Sequence, residues 1–125
     1  MLSKILFWLY LMNAVLLINH EIDSAYWKEW ELFNLPGRIG SFLILHFPLL
    51  FVILYGLVLV SKQAYAGLIV SLILSAGGIF AFGIHTAFIR RGRHEFNTPI
   101  SRIILTLMLG VSTIQAGVTI YLLFA

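Results

Sequence analysis

Apolar residues along this chain are gathered into long runs separated by short polar stretches. A bilayer core of roughly 30 Å takes about 20 helical residues to cross. Four stretches reach that length, at about residues 3–22, 39–60, 64–89 and 99–124. The pattern predicts an all-α protein, an integral membrane four-helix bundle forming a single domain over 1–125. The first run is purely apolar only to Ile18, so its helix must draw in Asn19 to Ile22. We expect it to be extended into an interfacial segment as far as Phe33, with Tyr26, Trp27 and Trp30 at headgroup level. Leu35-Pro36-Gly37 then stops it by removing a donor and permitting a turn.

The second run contains Pro48, which leaves the Ile44 carbonyl without its helical donor and is expected to kink the helix beside His46. Ser61-Lys62-Gln63 makes a tight loop to the third run. There Gly67, Ser71, Ser75 and Gly78 form a stripe of small residues suited to close helix contact in lipid, with Phe82 and His85 continuing the same face. Thr98-Pro99 reads as an N-cap followed by a first-turn proline. The fourth run carries two stripes: Ser101, Leu105, Met108, Ser112, Gln115, Thr119, and Thr106, Gly110, Thr113, Gly117. We read both as packing faces rather than a transport path.

Composition agrees with the membrane reading. Hydrophobic residues make up 61% of the chain and charged ones 10%, where a soluble domain carries about a quarter charged. Cysteine is absent, which excludes disulfides, thiolate nucleophiles and Cys-ligated metal or iron–sulfur sites. The formal charge of +3 does not indicate nucleic acid, because the basic residues flank apolar runs, where they set topology and meet anionic lipid. Four spans put both termini and the Lys62 loop on one side and the two longer loops on the other. Lys4 and Lys62 then face six basic residues, Lys28, Arg38, Arg90, Arg91, Arg93 and Arg102. The positive-inside rule places the long loops in the cytoplasm and both termini outside. Met1-Leu2-Ser3-Lys4 looks like the start of a signal peptide, but no small-residue cleavage pattern follows, so the first run is read as a retained span.

All five carboxylates (Glu21, Asp23, Glu29, Glu31, Glu95) and all four histidines fall on that long-loop side. His20 and His85 sit near the ends of spans one and three, His46 lies inside span two, and His94 sits in the second long loop. His20 and Asp23, three apart, share a helical face, whereas Glu21 points about 100° away. Ionisable groups at membrane depth are costly and normally face a bundle interior or polar cavity. Imidazole and carboxylate together are the donor set of zinc and non-haem iron, and an ion would neutralise the acids and satisfy ring nitrogens at once. We therefore expect a divalent metal on His20, Asp23, His46, His85 and His94. Glu21 and Glu95 would serve as general base or acid, and Arg90, Arg91 and Arg93 would hold an anionic head group. A zincin motif is not present: position 24 is Ser, and no second histidine follows on that helix.

The segments His20-Glu21-Ile22-Asp23, Trp27-Lys28-Glu29-Trp30, Leu45-His46-Phe47-Pro48, Gly83-Ile84-His85-Thr86 and His94-Glu95-Phe96 span nearly the whole chain. Together they resemble an uncharacterised family of small bacterial four-span membrane proteins. The resemblance implies the fold and a bacterial inner-membrane location; the family has no established activity. The function expected from the residues is that of a metal-dependent membrane enzyme acting on a lipidic or membrane-partitioned substrate at the cytoplasmic boundary. Its partners would be membrane lipid, that substrate, and a homo-oligomer or larger membrane complex. The rival readings are a haem-binding electron-transfer protein, using two of the histidines as axial ligands, and a non-enzymatic small subunit or proton-conducting element of a membrane complex.

Overall fold

The computed structural model describes residues 1–125, in five helices and no strand: α1 (Leu2–Tyr26), α2 (Glu29–Leu32), α3 (Arg38–Ser61), α4 (Tyr65–Arg90) and α5 (Pro99–Phe124). All but α2 are long and apolar enough to cross a membrane. Their boundaries follow the sequence signals. The Thr98 side chain caps α5 by accepting from the Ser101 amide at 3.2 Å, and Pro99 occupies the first turn, where its missing donor costs nothing. Pro48 lies within α3, which continues through it.

The four spanning helices close a ring in the order α1, α5, α4, α3, with α1 and α4 also meeting across it. Leu6, Tyr10, Leu17, Ile53, Leu74, Leu105 and Met108 supply much of the apolar core. One α5 stripe, Ser101 through Thr119, is buried in the bundle. The other faces outward, and Thr106 and Thr113 in it bond back to carbonyls of their own helix.

A polar layer inside the membrane joins three helices. Asn13 of α1 donates to Ser112 Oγ at 3.0 Å and Gln115 Oε1 at 2.8 Å. Gln115 in turn donates to Ser71 Oγ at 2.9 Å, and Ser71 shares a 2.8 Å bond with Thr119. All five side chains are fully buried and hydrogen-bonded. In hydrocarbon such contacts hold helices together because no water competes for the same groups.

The interfacial segment is where the fold departs from a simple continuation of the first helix. α1 passes Ile18 and runs on to Tyr26, but then breaks: Lys28 adopts a left-handed conformation with φ 53°. The single turn α2 that follows is folded back over the end of the bundle, burying Trp30 and Leu32. Trp30 packs on Phe42 of α3, and Phe33 packs on Phe88 of α4. Gly37, at φ 91°, returns the chain into α3.

Between α3 and α4 the packing changes along the membrane normal. Near the Lys62 loop the helices touch backbone to backbone: a Cβ on Gly67 would lie 2.8 Å from main-chain atoms of Leu59 and Val60. Ten residues further along α4, a Cβ on Gly77 would meet nothing within 4 Å. The two helices thus diverge toward the α2 end, where a cleft of about 330 Å³ opens between them.

Candidate metal centre

The buried face of α1 repeats at helical spacing through Leu6, Tyr10, Asn13, Leu17, His20 and Ser24. His20 therefore projects into the bundle, where it meets His85, the last member of the small-residue face of α4. The two rings meet edge to face with centroids 4.8 Å apart, and each is only 2% exposed. Phe96, fully buried below them, lies 4.0 Å from the His85 ring and 5.5 Å from His20. The chain reversal at Lys28 carries Glu29 across to the same point, with Glu29 Oε2 standing 3.5 Å from His85 Nε2.

One donor atom each from His20, Glu29 and His85 lie within 4.8 Å of one another. Metal–ligand bonds of 2.0–2.2 Å in a tetrahedral centre set donor separations of about 3.4 Å. The His85–Glu29 edge is already there, and the remaining edges need small side-chain rotations. Nδ1 of His20, Nδ1 of His85 and Oε2 of Glu29 are all buried without a hydrogen-bond partner. Each orphaned group of this kind costs about 1–3 kcal/mol. An ion among them would engage Glu29 Oε2 and one nitrogen of each ring. Burial holds the Glu29 carboxyl above its ordinary range; nearby Glu21 acts in the same direction, and Ser24 and His46 partly offset it.

A second pair adjoins this group. The His46 Nδ1–H donates to the Phe42 carbonyl at 2.6 Å, which fixes a proton on that nitrogen because a carbonyl can only accept. The other ring nitrogen, Nε2, bonds to Glu21 Oε2. That contact requires one further proton between them, on the imidazole or on the carboxyl. His46 also stacks on Phe42 at 3.8 Å, so its ring is held on two sides.

Of the residues the sequence reading nominated as ligands, His20 and His85 converge. Asp23 does not join them: it stands on α1 outside the group, and Glu29 supplies the carboxylate instead. His46 is engaged by Glu21 and the Phe42 carbonyl rather than by the other imidazoles. His94 is exposed in the loop after α4. Glu21 lines the cleft beside His20, Glu29 and His85. Glu95 does not: it is bound to the Arg93 guanidinium at 2.7 and 3.2 Å, and that cation keeps its carboxyl below the usual range. Arg90, Arg91 and Arg93 are exposed and none of them reaches the cleft.

Phe96 is a member of the site that residue spacing did not single out, and spacing offers Glu29 only as an outlying or second-site group. The Trp27-Lys28-Glu29-Trp30 and His94-Glu95-Phe96 segments contain both, but nothing local in them announces a non-glycine residue in the left-handed region. Lys28 and Phe96 (φ 64°) both occupy it, and in each case tertiary contacts hold the turn.

The family model for the family of unknown function DUF6713 matches residues 6–122. The chain belongs to this family. Membership thus takes in all four spanning helices and every residue of the His20–Glu29–His85 group. No curated protein and no solved structure matches the chain. The chemistry of this DUF6713 chain must therefore be read from its own side chains.

Proposed function

We propose that this protein is a metal-dependent integral membrane enzyme acting on a membrane-partitioned substrate. The observation that carries the reading is the convergence of two buried imidazoles and one carboxylate, from three separate chain segments, at the polar end of an apolar cleft. Two histidines and a glutamate are the protein ligands of a recurring type of catalytic zinc site. Two histidines and a carboxylate likewise form the facial triad of non-haem iron enzymes. His20, Glu29 and His85 would hold the ion. With only three protein ligands it would keep a coordination position for substrate or water, whose acidity it would raise toward neutral pH.

Glu21 is the acid–base group of this proposal. It lines the cleft, and its bond to His46 keeps a proton within reach of the site. An iron porphyrin gripped by two histidines draws less support, because the His20 and His85 rings are in edge contact with Glu29 beside them. We place the protein in the bacterial inner membrane with α2 and the Arg90–Arg93 loop cytoplasmic, in line with six of the eight basic residues on that side.

Metal content is the test. Protein purified in detergent and reconstituted with Zn²⁺ or Fe²⁺ is expected to retain about one equivalent after desalting, and His20→Ala, Glu29→Gln and His85→Ala to lose it. Wild-type protein that holds neither ion, or variants that hold as much as wild type, would overturn the reading.

A further inference from the structure

The cleft itself constrains what can be brought to the metal centre. On α4 it is lined from Val70 to His85, about 20 Å at the rise of an α-helix. A volume of about 330 Å³ over that length leaves width for one hydrocarbon chain. Its walls are aliphatic and aromatic, and its flank is open: Leu49 and Val52 of α3 and Ile73 and Phe80 of α4 line it while remaining exposed on the outer surface of the bundle. The opening therefore faces bilayer hydrocarbon along most of its length rather than the aqueous side alone.

Charge decides the head end. Every ionisable residue lining the cleft is there: His20, Glu21, Glu29 and His85. No lysine or arginine lines it. In the metal-free cleft a phosphate or carboxylate group arriving there would be desolvated beside Glu21 and Glu29 with no guanidinium or ammonium to receive it, which is unfavourable in a low-dielectric site. A hydroxyl, carbonyl, ester or amide has no such cost.

From this geometry we infer that the cleft takes a single-chain lipid with an uncharged, oxygen-bearing terminus. It enters sideways from the bilayer between α3 and α4, with the chain along Gly77 and the terminus at the His20–Glu29–His85 group. The inference deepens the proposed function, and rests on it only for what happens at the terminus; occupancy of the cleft is a separate matter. It also explains why Gly77 borders open space whereas Gly67, on the same helix, is pressed against backbone.

Native mass spectrometry of the full-length protein, released from detergent with and without Zn²⁺, tests it. The probes are 1-hexadecanol, hexadecanoate, hexadecyl phosphate and a diacyl phosphatidylglycerol, offered together. In the metal-free protein one hexadecanol per chain is expected, preferred over either anion by about tenfold or more, with no diacyl lipid retained in either state. Gly77→Leu should abolish the adduct while leaving bound Zn²⁺ and the thermal midpoint unchanged. Gly83→Leu adds the same side chain at another open position of α4 that does not line the cleft, and should bind hexadecanol as wild type does. Equal or better retention of an anion by the metal-free protein, or of the diacyl lipid by either form, would overturn the inference, as would an undiminished adduct on Gly77→Leu or its loss on Gly83→Leu. Zinc bound without hexadecanol sinks the cleft assignment and leaves the metal centre standing. Hexadecanol bound and lost in Gly77→Leu, with no zinc taken up by any form, does the reverse.

Discussion

The polar layer around Asn13 and Gln115 and the polar layer around His20 and His85 lie only about 10 Å apart along α1, yet their hydrogen bonds go to different places. In the first, every side chain finds its partner on a neighbouring helix: Asn13 with Ser112 and Gln115, Gln115 with Ser71, Ser71 with Thr119. In the second, both imidazoles keep an unpartnered Nδ1 and Glu29 an unpartnered Oε2, although all three atoms are buried. A satisfied buried network rigidifies a bundle; a half-satisfied one is costly unless something else completes it. The comparison separates side chains that hold the helices together from side chains that, in the proposed function, would take an ion.

Substitutions should divide along the same line. The largest expected effect is on metal affinity. His85→Leu should weaken Zn²⁺ binding by more than about 100-fold, since the loss of outer partners alone costs 10–100-fold at metal sites, while apo stability holds or rises as an apolar side chain of similar size replaces a ring with an orphaned buried nitrogen. Zinc titration and thermal unfolding of the same detergent-solubilised samples read both. A large fall in apo stability would instead place His85 among the structural residues. Gln115→Ala should show the opposite profile. It strips partners from Asn13 and Ser71, so a loss of about 1–2 kcal/mol is expected on the scale of interhelical hydrogen bonds, with zinc affinity unchanged.

Acidity gives a subtler contrast. Burial, assisted by nearby Glu21, raises the Glu29 carboxyl, so between the ordinary carboxyl range and that raised value the folded protein keeps a proton the unfolded chain has released. Without metal, stability should therefore decline as pH rises through this window and level off above it. Zinc, which needs the carboxylate, should bind more tightly as pH rises over the same interval. Glu29→Gln should flatten the apo profile; an unaltered profile would mean that Glu29 does not titrate there. The smallest effect belongs to Arg93→Ala. This breaks a solvent-screened ion pair in the exposed loop, with Arg93 itself outside the cleft, and should leave both stability and zinc binding unchanged. A clear loss of zinc would draw the Arg90–Arg93 loop into the site.

The helices were open to reading because a membrane leaves a chain few choices. Arg38–Ser61, Tyr65–Arg90 and Pro99–Phe124 each fall within a residue of the runs that hydropathy marks out, since backbone groups in hydrocarbon must bond within their own helix. Thr98 and Pro99 announce the start of α5 by the same kind of local rule. His20 and His85 could be placed on inward faces by counting along their helices. Glu29 could not. Helical periodicity carried forward from α1 turns it toward the interface, and only the left-handed turn at Lys28 brings it back over the bundle. His46 was equally ambiguous, because a histidine beside a proline is consistent with either ligation or a carbonyl partner; Glu21 and the Phe42 carbonyl engage it.

By itself, then, the order of residues determined four membrane crossings, the faces they turn to one another, and the gathering of every imidazole and carboxylate at one end. Those features depend on hydropathy and on the 3.6-residue repeat, both of which are local. Which three side chains would share an ion, and that the cleft beside them is open to lipid, depended on how α2 folds over the bundle and how far α3 stands from α4. Those are long-range packing relations, set by pairs such as Trp30 with Phe42 and Gly67 with the Leu59–Val60 backbone, and no local rule along the chain encodes them.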